Sequence, residues 1–421
     1  MTDIKETDMY PNLPHPTGSI SPFTAREMGL ETTLTTESFF TDFSRMSRHL
    51  PIQSIFASTY LCTAQPYINN LITPDNFQEI IALARQFPGN LTSFLGFECR
   101  LTNPISRADW AFAVSGTGTD KNVFSNLLSD GYIPDHYLQE DAWQHIQHFA
   151  NAWANPNSLI QKHIQCFWLE FDMPPKAPDV PLPSVFFGPT RLSKGTPSNT
   201  ISEYDWLIRS ALPLLKGHPI NTSIRQHLTT CLRHLPENAS LFQVGVMLSR
   251  SGNENIRFFI NHFRPNQILH YLRSIGWTGD GTALETMLSE LEPLADRFVI
   301  GYDITPKGIG TRIGLECSFK VDHYHLEHRW AHLLNYLVTK GLCLTDKRDA
   351  LLKYPGIETN STQDTTIMRP LNSASHALPD LLGSTIVRYI SHIKIVYQNG
   401  KALEAKAYPA IRLFKPSESS L

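Results

Sequence analysis

Residues 311–320 alternate strictly: Arg312, Gly314, Glu316, Ser318 and Lys320 point one way, Ile313, Leu315, Cys317 and Phe319 the other. A period of two is that of a half-buried β-strand. Its apolar side needs a core, yet its other side carries two cations and a carboxylate rather than the neutral polar mix of an ordinary wet face. Residues 95–101 repeat the pattern, with Glu98 and Arg100 against Phe97, Cys99 and Leu101, and 167–172 and 299–303 rhyme with them. Self-similarity of this kind is read before anything else, because it fixes the architecture.

Five hairpins follow from it: 94–101 with 109–115, 165–172 with 182–187, 241–250 with 256–263, 297–303 with 311–320, and 386–397 with 402–412. The last turns at Gln398-Asn399-Gly400-Lys401, and Asn-Gly is the strongest short-range hairpin signal. The proline-rich link inside the second cannot lie within a sheet. Helical spacing separates the hairpins, at 36–47, 75–86, 141–153, 202–216, 222–235, 266–275, 282–295, 325–340 and 345–353. Residues between the first hairpin and 141 read as a Gly/Thr/Asp loop, 357–377 as a polar loop, and 1–35 as a flexible leader. Residues 36–415 are expected to form a single catalytic-type domain of class α+β. Parallel βαβ architecture would alternate single strands with single helices, with a glycine-rich phosphate loop after one of them.

Composition narrows the function classes. A net charge of -3 on 421 residues lacks the electrostatic footprint of a dedicated nucleic-acid binder. No apolar run approaches the roughly 18 residues that span a bilayer, so a cytoplasmic protein with no membrane partner is expected. Six cysteines without a CxxC pair read as reduced core thiols.

The apolar strand faces must be covered by the helices, which leaves the opposite face with Glu98, Arg100, Trp168, Glu170, Asp172, Gln243, Met247, Arg257, Phe259, Asn261, Arg312, Glu316, Ser318, Lys320, His392, Lys394, Glu404, Lys406 and Tyr408. Ten antiparallel strands either stay open with that face in water or close into a barrel that turns it into a lumen. Closure with the helices outside is the expectation.

Read so, the chain resembles the ABBA-type aromatic prenyltransferases, built from αββα repeats closed into an antiparallel ten-stranded barrel. The likeness lies in the hairpin rhythm over 75–412, in Gly301-Tyr302-Asp303 followed by Arg312-Ile313-Gly314-Leu315, and in Val185-Phe186-Phe187-Gly188-Pro189. It implies transfer of an isoprenoid group from an allylic diphosphate to an aromatic or peptide acceptor in the lumen, in natural-product biosynthesis. Arg100, Arg257, Arg312, Lys320, Lys394 and Lys406 would hold the diphosphate. Tyr408 and Tyr397 would shield the carbocation, and Glu98 or Glu316 would be the catalytic carboxylate. Trp168, Glu170 and His392 join the substrate-binding wall. No cofactor is fixed by the sequence; Mg2+ accompanying the diphosphate is the one in view.

Two other readings stay open: a tailoring enzyme for ribosomally made peptides without diphosphate chemistry, and a ligand-binding or scaffold protein. Asp-Asp-x-x-Asp, G-x-S-x-G, the Walker loop and H-E-x-x-H are absent. His323, His325, His328 and His332 are the strongest metal-ligand candidates, the last three sharing a face if helical, but no carboxylate or cysteine pattern completes a site, so no metal ligand is assigned.

Overall fold

The computed structural model describes residues 56–92, 94–116, 120–129, 133–189, 204–250, 254–320, 324–359 and 385–414. The expected leader, the helix at 36–47, His323 and most of the polar loop lie outside them.

The strands are β1 (Phe94–Arg100), β2 (Ala108–Ser115), β3 (Ile164–Phe171), β4 (Ser184–Pro189), β5 (Ser240–Val246), β6 (Ile256–Phe263), β7 (Arg297–Thr305), β8 (Gly308–Ser318), β9 (Gly356–Thr359), β10 (Thr385–Gln398) and β11 (Lys401–Phe414). Consecutive strands pair antiparallel from β1 to β8, β8 pairs with β10, β10 with β11, and β11 returns to β1 through Phe94↔Arg412 to Arg100↔Lys406. The sheet therefore closes into a ten-stranded barrel, and the open-sheet alternative is set aside. β9 pairs only with the opening stretch of β10, from Thr385↔Thr359 to Arg388↔Gly356. The last hairpin turns as expected, with Asn399 and Gly400 both at positive φ (53° and 76°).

Alternation sorts the side chains into two separate apolar sets. Outside the wall lies the main core, where helix Asp141–Ala154 lays Trp143, Phe149 and Trp153 onto the outward face of β3. Phe149 and Phe167 meet there with ring centroids 4.8 Å apart. Inside lie two smaller groups: Phe94, Ala113, Tyr389 and Ala410, and Phe186, Met247 and Phe259. Leu315 and Cys317 are fully buried outward, while Arg312 and Glu316 face the lumen.

The structure corrects several element boundaries. Asp120–Ser129 is a helix where a loop is expected, its signal being only the short set Val123, Phe124, Leu127 and Leu128 at helical spacing. The 325–340 helix starts at Trp330 after a single 3-10 turn at Tyr324–Leu326, so His325, His328 and His332 do not share one helix face. The fourth hairpin is tighter than expected, with Thr305 paired to Gly308, and β8 ends at Ser318, two residues short of Lys320.

The two faces of β8 can be told apart by mutation. Leu315→Asp should cost about 3 kcal/mol or more in urea unfolding, because it places a charge with no partner against the helices. Arg312→Ala, at a half-exposed side chain, should cost less than about 1 kcal/mol.

Candidate active site

The barrel encloses a cavity of about 390 Å³, within the usual range for small-molecule sites. The period of two delivers its wall: Glu98 and Arg100 from β1, Trp168 and Glu170 from β3, Arg257 and Phe259 from β6, Arg312 and Glu316 from β8, His392 and Lys394 from β10, and Lys406 and Tyr408 from β11. Two expectations differ. Lys320 lies beyond β8, exposed and off the wall, because the strand stops before it. Tyr397 has the opposite parity to Lys394 and Val396; it is buried among the helices and donates its hydroxyl to the Asp280 carbonyl at 2.6 Å.

Between Ile390↔Pro409 and Ile393↔Ala407, β10 spends one residue more than β11, which is a β-bulge. Ser391 and His392 both line the cavity as a result. Their Oγ and Nδ1 lie 3.2 Å apart, and the imidazole stacks on Tyr408 at 4.0 Å. Ser391 is a site residue that strict alternation cannot find, since only one of two neighbours should face inward.

Register builds a charged row across four strands: Glu316 opposite Lys394, Lys394 opposite Lys406, Lys406 opposite Arg100. Three adjacent cations would repel, and carboxylates intervene. Lys406 Nζ donates to Glu98 Oε1 at 2.6 Å, and the Tyr408 hydroxyl donates to the other Glu98 oxygen. Lys394 Nζ lies 3.4 Å from Glu316 and 4.8 Å from the centre of the Phe259 ring. Arg100 holds Asp109 at 2.8 Å, Arg312 holds Glu404 at 2.7 Å, and Arg257 grips Asp303 through two bonds of 2.7 and 3.0 Å. Asp109 and Asp303 were not singled out by the sequence as site residues. Each sits directly opposite a lumen-facing residue, Asp109 beside Glu98 and Asp303 beside Arg257, so register was the missing signal.

Glu170 stands apart, its carboxyl making no hydrogen bond or ion pair among the described residues. Burial raises it, the Glu98 charge raises it further, and Asp109 adds to this, while Lys394 and Lys406 pull the other way; the result is about 8. Burial would raise Glu98 as well, but Lys406, then Lys394, and the hydrogen bonds from Lys406 and Tyr408 outweigh it and hold the carboxyl at about 2. Burial also keeps His392 below the ordinary imidazole range, and keeps the Tyr408 phenol far above its own. Within the lumen Glu98 is thus an ionised carboxylate and Glu170 a neutral carboxyl, beside a neutral imidazole and a neutral phenol.

Aromatic rings fill other parts of the wall. Phe94 meets Trp168 edge-on at 4.7 Å, and Phe186 meets Phe259 edge-on at 5.8 Å. Glycines make room for these rings: a Cβ on Gly301 would come 2.8 Å from Phe259, and one on Gly245 2.7 Å from Phe186. Among the described residues no three His, Cys, Asp or Glu side chains converge so as to hold a metal ion.

The closed antiparallel arrangement of hairpins with helices outside decides the fold. The barrel is of the ABBA type. No protein-family model and no curated protein matches the sequence. Among solved structures the chain is similar to the prenyltransferase PriB in its apo form, with 13% identity and a TM-score of 0.47 over 86% of this chain and 98% of that one. It is also similar to AnaPT from Neosartorya fischeri (10%, TM-score 0.43, 93% and 96%) and to 5-dimethylallyltryptophan synthase from Streptomyces coelicolor (10%, TM-score 0.46, 85% and 98%).

The lumen sets aromatic rings beside an ionised carboxylate at Glu98 and a neutral carboxyl at Glu170. Its two unlike carboxyls also give a measurable signature. Folded Glu170 keeps its proton up to about pH 8, whereas an unfolded carboxyl loses it near 4.5. Between those values the folded state binds more protons, so Glu170 makes stability fall as pH rises. Glu170→Gln removes the effect. Urea unfolding should show variant and wild type alike at pH 5, the variant pulling ahead by a few kcal/mol up to pH 8, and a constant gap above it.

Proposed function

We propose that the lumen transfers an isoprenoid group from an allylic diphosphate to an aromatic acceptor. The observation that carries this reading is the placement of ionised Glu98 in one cavity with lumen-facing cations and with aromatic faces on several sides. Lys394, Lys406 and Arg257 would grip the diphosphate, Arg100 and Arg312 would assist, and Trp168, Phe259 and Tyr408 would face the allylic cation. Glu98 would take the acceptor's proton. An aromatic side chain suits the cavity better than a long peptide, although a peptide could present one. Six free cysteines fit a reducing compartment such as the cytoplasm.

One observation favours a second reading. Lys394, Lys406, Arg100, Arg257 and Arg312 already pair with carboxylates, so a protein that holds a neutral or zwitterionic ligand without chemistry would use the same lumen. A diphosphate must compete with those carboxylates, and its bidentate geometry and higher charge suit it to do so.

Incubation with dimethylallyl or geranyl diphosphate and tryptophan, tyrosine or short peptides, read by mass spectrometry, should give acceptors heavier by one prenyl group. Glu98→Gln should lower kcat by roughly 100-fold or more, and Arg257→Ala should raise the donor KM. Absence of diphosphate binding in calorimetry would remove the transferase reading and leave the ligand-holding one.

A further inference from the structure

We propose that Glu170 is the proton donor to the departing diphosphate, an assignment that rests on the transferase reading above. Breaking the allylic C–O bond loads negative charge onto the leaving oxygen, and the protein must meet that charge with cations or with a proton. The cations here are partly committed: Lys394 to Glu316, Lys406 to Glu98 and Arg257 to Asp303. A proton on the leaving oxygen supplies what they cannot.

Glu170 is placed to give it. It lines the cavity from β3, and the charges of Lys394, Lys406 and Arg257 all act on it, so it sits among the groups that would surround the diphosphate. The strands around it explain its resting form. Glu98 on β1 and Asp109 on β2 oppose its ionisation, Lys394 on β10 and Lys406 on β11 favour it, and β4 offers only Ser184 opposite. With no cation or donor among the described residues bonded to it, a carboxyl held away from bulk water keeps its proton. A bound diphosphate adds negative charge nearby and tightens that hold until the C–O bond breaks.

The step balances. The C–O electron pair moves onto the oxygen, which takes the Glu170 proton, and the allylic cation is attacked by the acceptor ring. The ring then gives its proton to the Glu98 carboxylate. Exchange with water returns the proton from Glu98 and restores the one on Glu170, so acceptor and donor become prenylated acceptor and protonated diphosphate with nothing else consumed.

The test compares wild type, Glu170→Gln and Glu170→Asp, following diphosphate release from dimethylallyl diphosphate with tryptophan between pH 6 and 10. Wild-type kcat/KM should fall as pH rises through about 8, and kcat at a higher pH, because bound diphosphate holds the proton more tightly. The Gln variant should be slower by roughly 100-fold or more, lack that alkaline limb, and bind inorganic diphosphate within about twofold of wild type. Asp should restore part of the rate. A Gln variant that turns over like wild type, or keeps the limb, overturns the proposal for Glu170 alone. A wild type that releases no diphosphate overturns the transferase reading with it. Difference infrared spectra of wild type and Gln variant report on the residue without turnover: a protonated-carboxyl band is expected at pH 7 and should persist to higher pH with inorganic diphosphate, and its absence overturns the proposal.

Discussion

The pairing of β11 with β1 is the contact on which the rest depends. Without it, Glu98, Lys406 and Tyr408 would be three polar groups on the wet side of a sheet, where an exposed ion pair contributes little. With it, they face one another across adjacent strands in an enclosed space, Coulomb terms grow as water is excluded, and a carboxylate can be held ionised while another a few strands away is held neutral. Closure also forces the helices outward, since ten strands have no other face left for them to cover.

Charge inside such a wall has to be balanced locally, and the structure does this pair by pair. Each acid that meets a cation does so through its neighbour on the next strand or the next but one: Asp303 to Arg257 across β6 and β7, Glu316 to Lys394 across β8 and β10, Glu98 to Lys406 across β1 and β11. Burying a pair is costly, and leaving one partner alone costs more. Glu170 meets no such cation among the described residues: opposite it stand Ala111 on β2 and Ser184 on β4. Neither small side chain brings a charge to the carboxyl.

Much of this could be read in the chain itself, because both governing periods are local. Alternation in 311–320 and 95–101 names Arg312, Glu316, Glu98 and Arg100 as wall residues, and Asn399-Gly400 fixes the register of the last hairpin. What could not be read is whatever depends on partners distant in sequence. The ion pairs of Arg100 and Arg257 required knowing which residue lies opposite across the ladder. Ser391 required a bulge that leaves no mark in composition, and helix Asp120–Ser129 offers only four apolar residues at helical spacing, Val123, Phe124, Leu127 and Leu128. Lys320 shows the reverse error, an alternating pattern that outruns the hydrogen bonds supporting it.

The bulge in β10 has one more implication. Before it, odd-numbered Val387 and Tyr389 face the interior; after it, even-numbered Lys394 and Val396 do. The strand is in effect two half-strands of opposite phase, spliced at Ser391-His392. Loss of a single residue there would remove the bulge and restore plain alternation: Lys394 would stay opposite Lys406 in the lumen, and the site would lose one of its two adjacent inward side chains, Ser391 or His392.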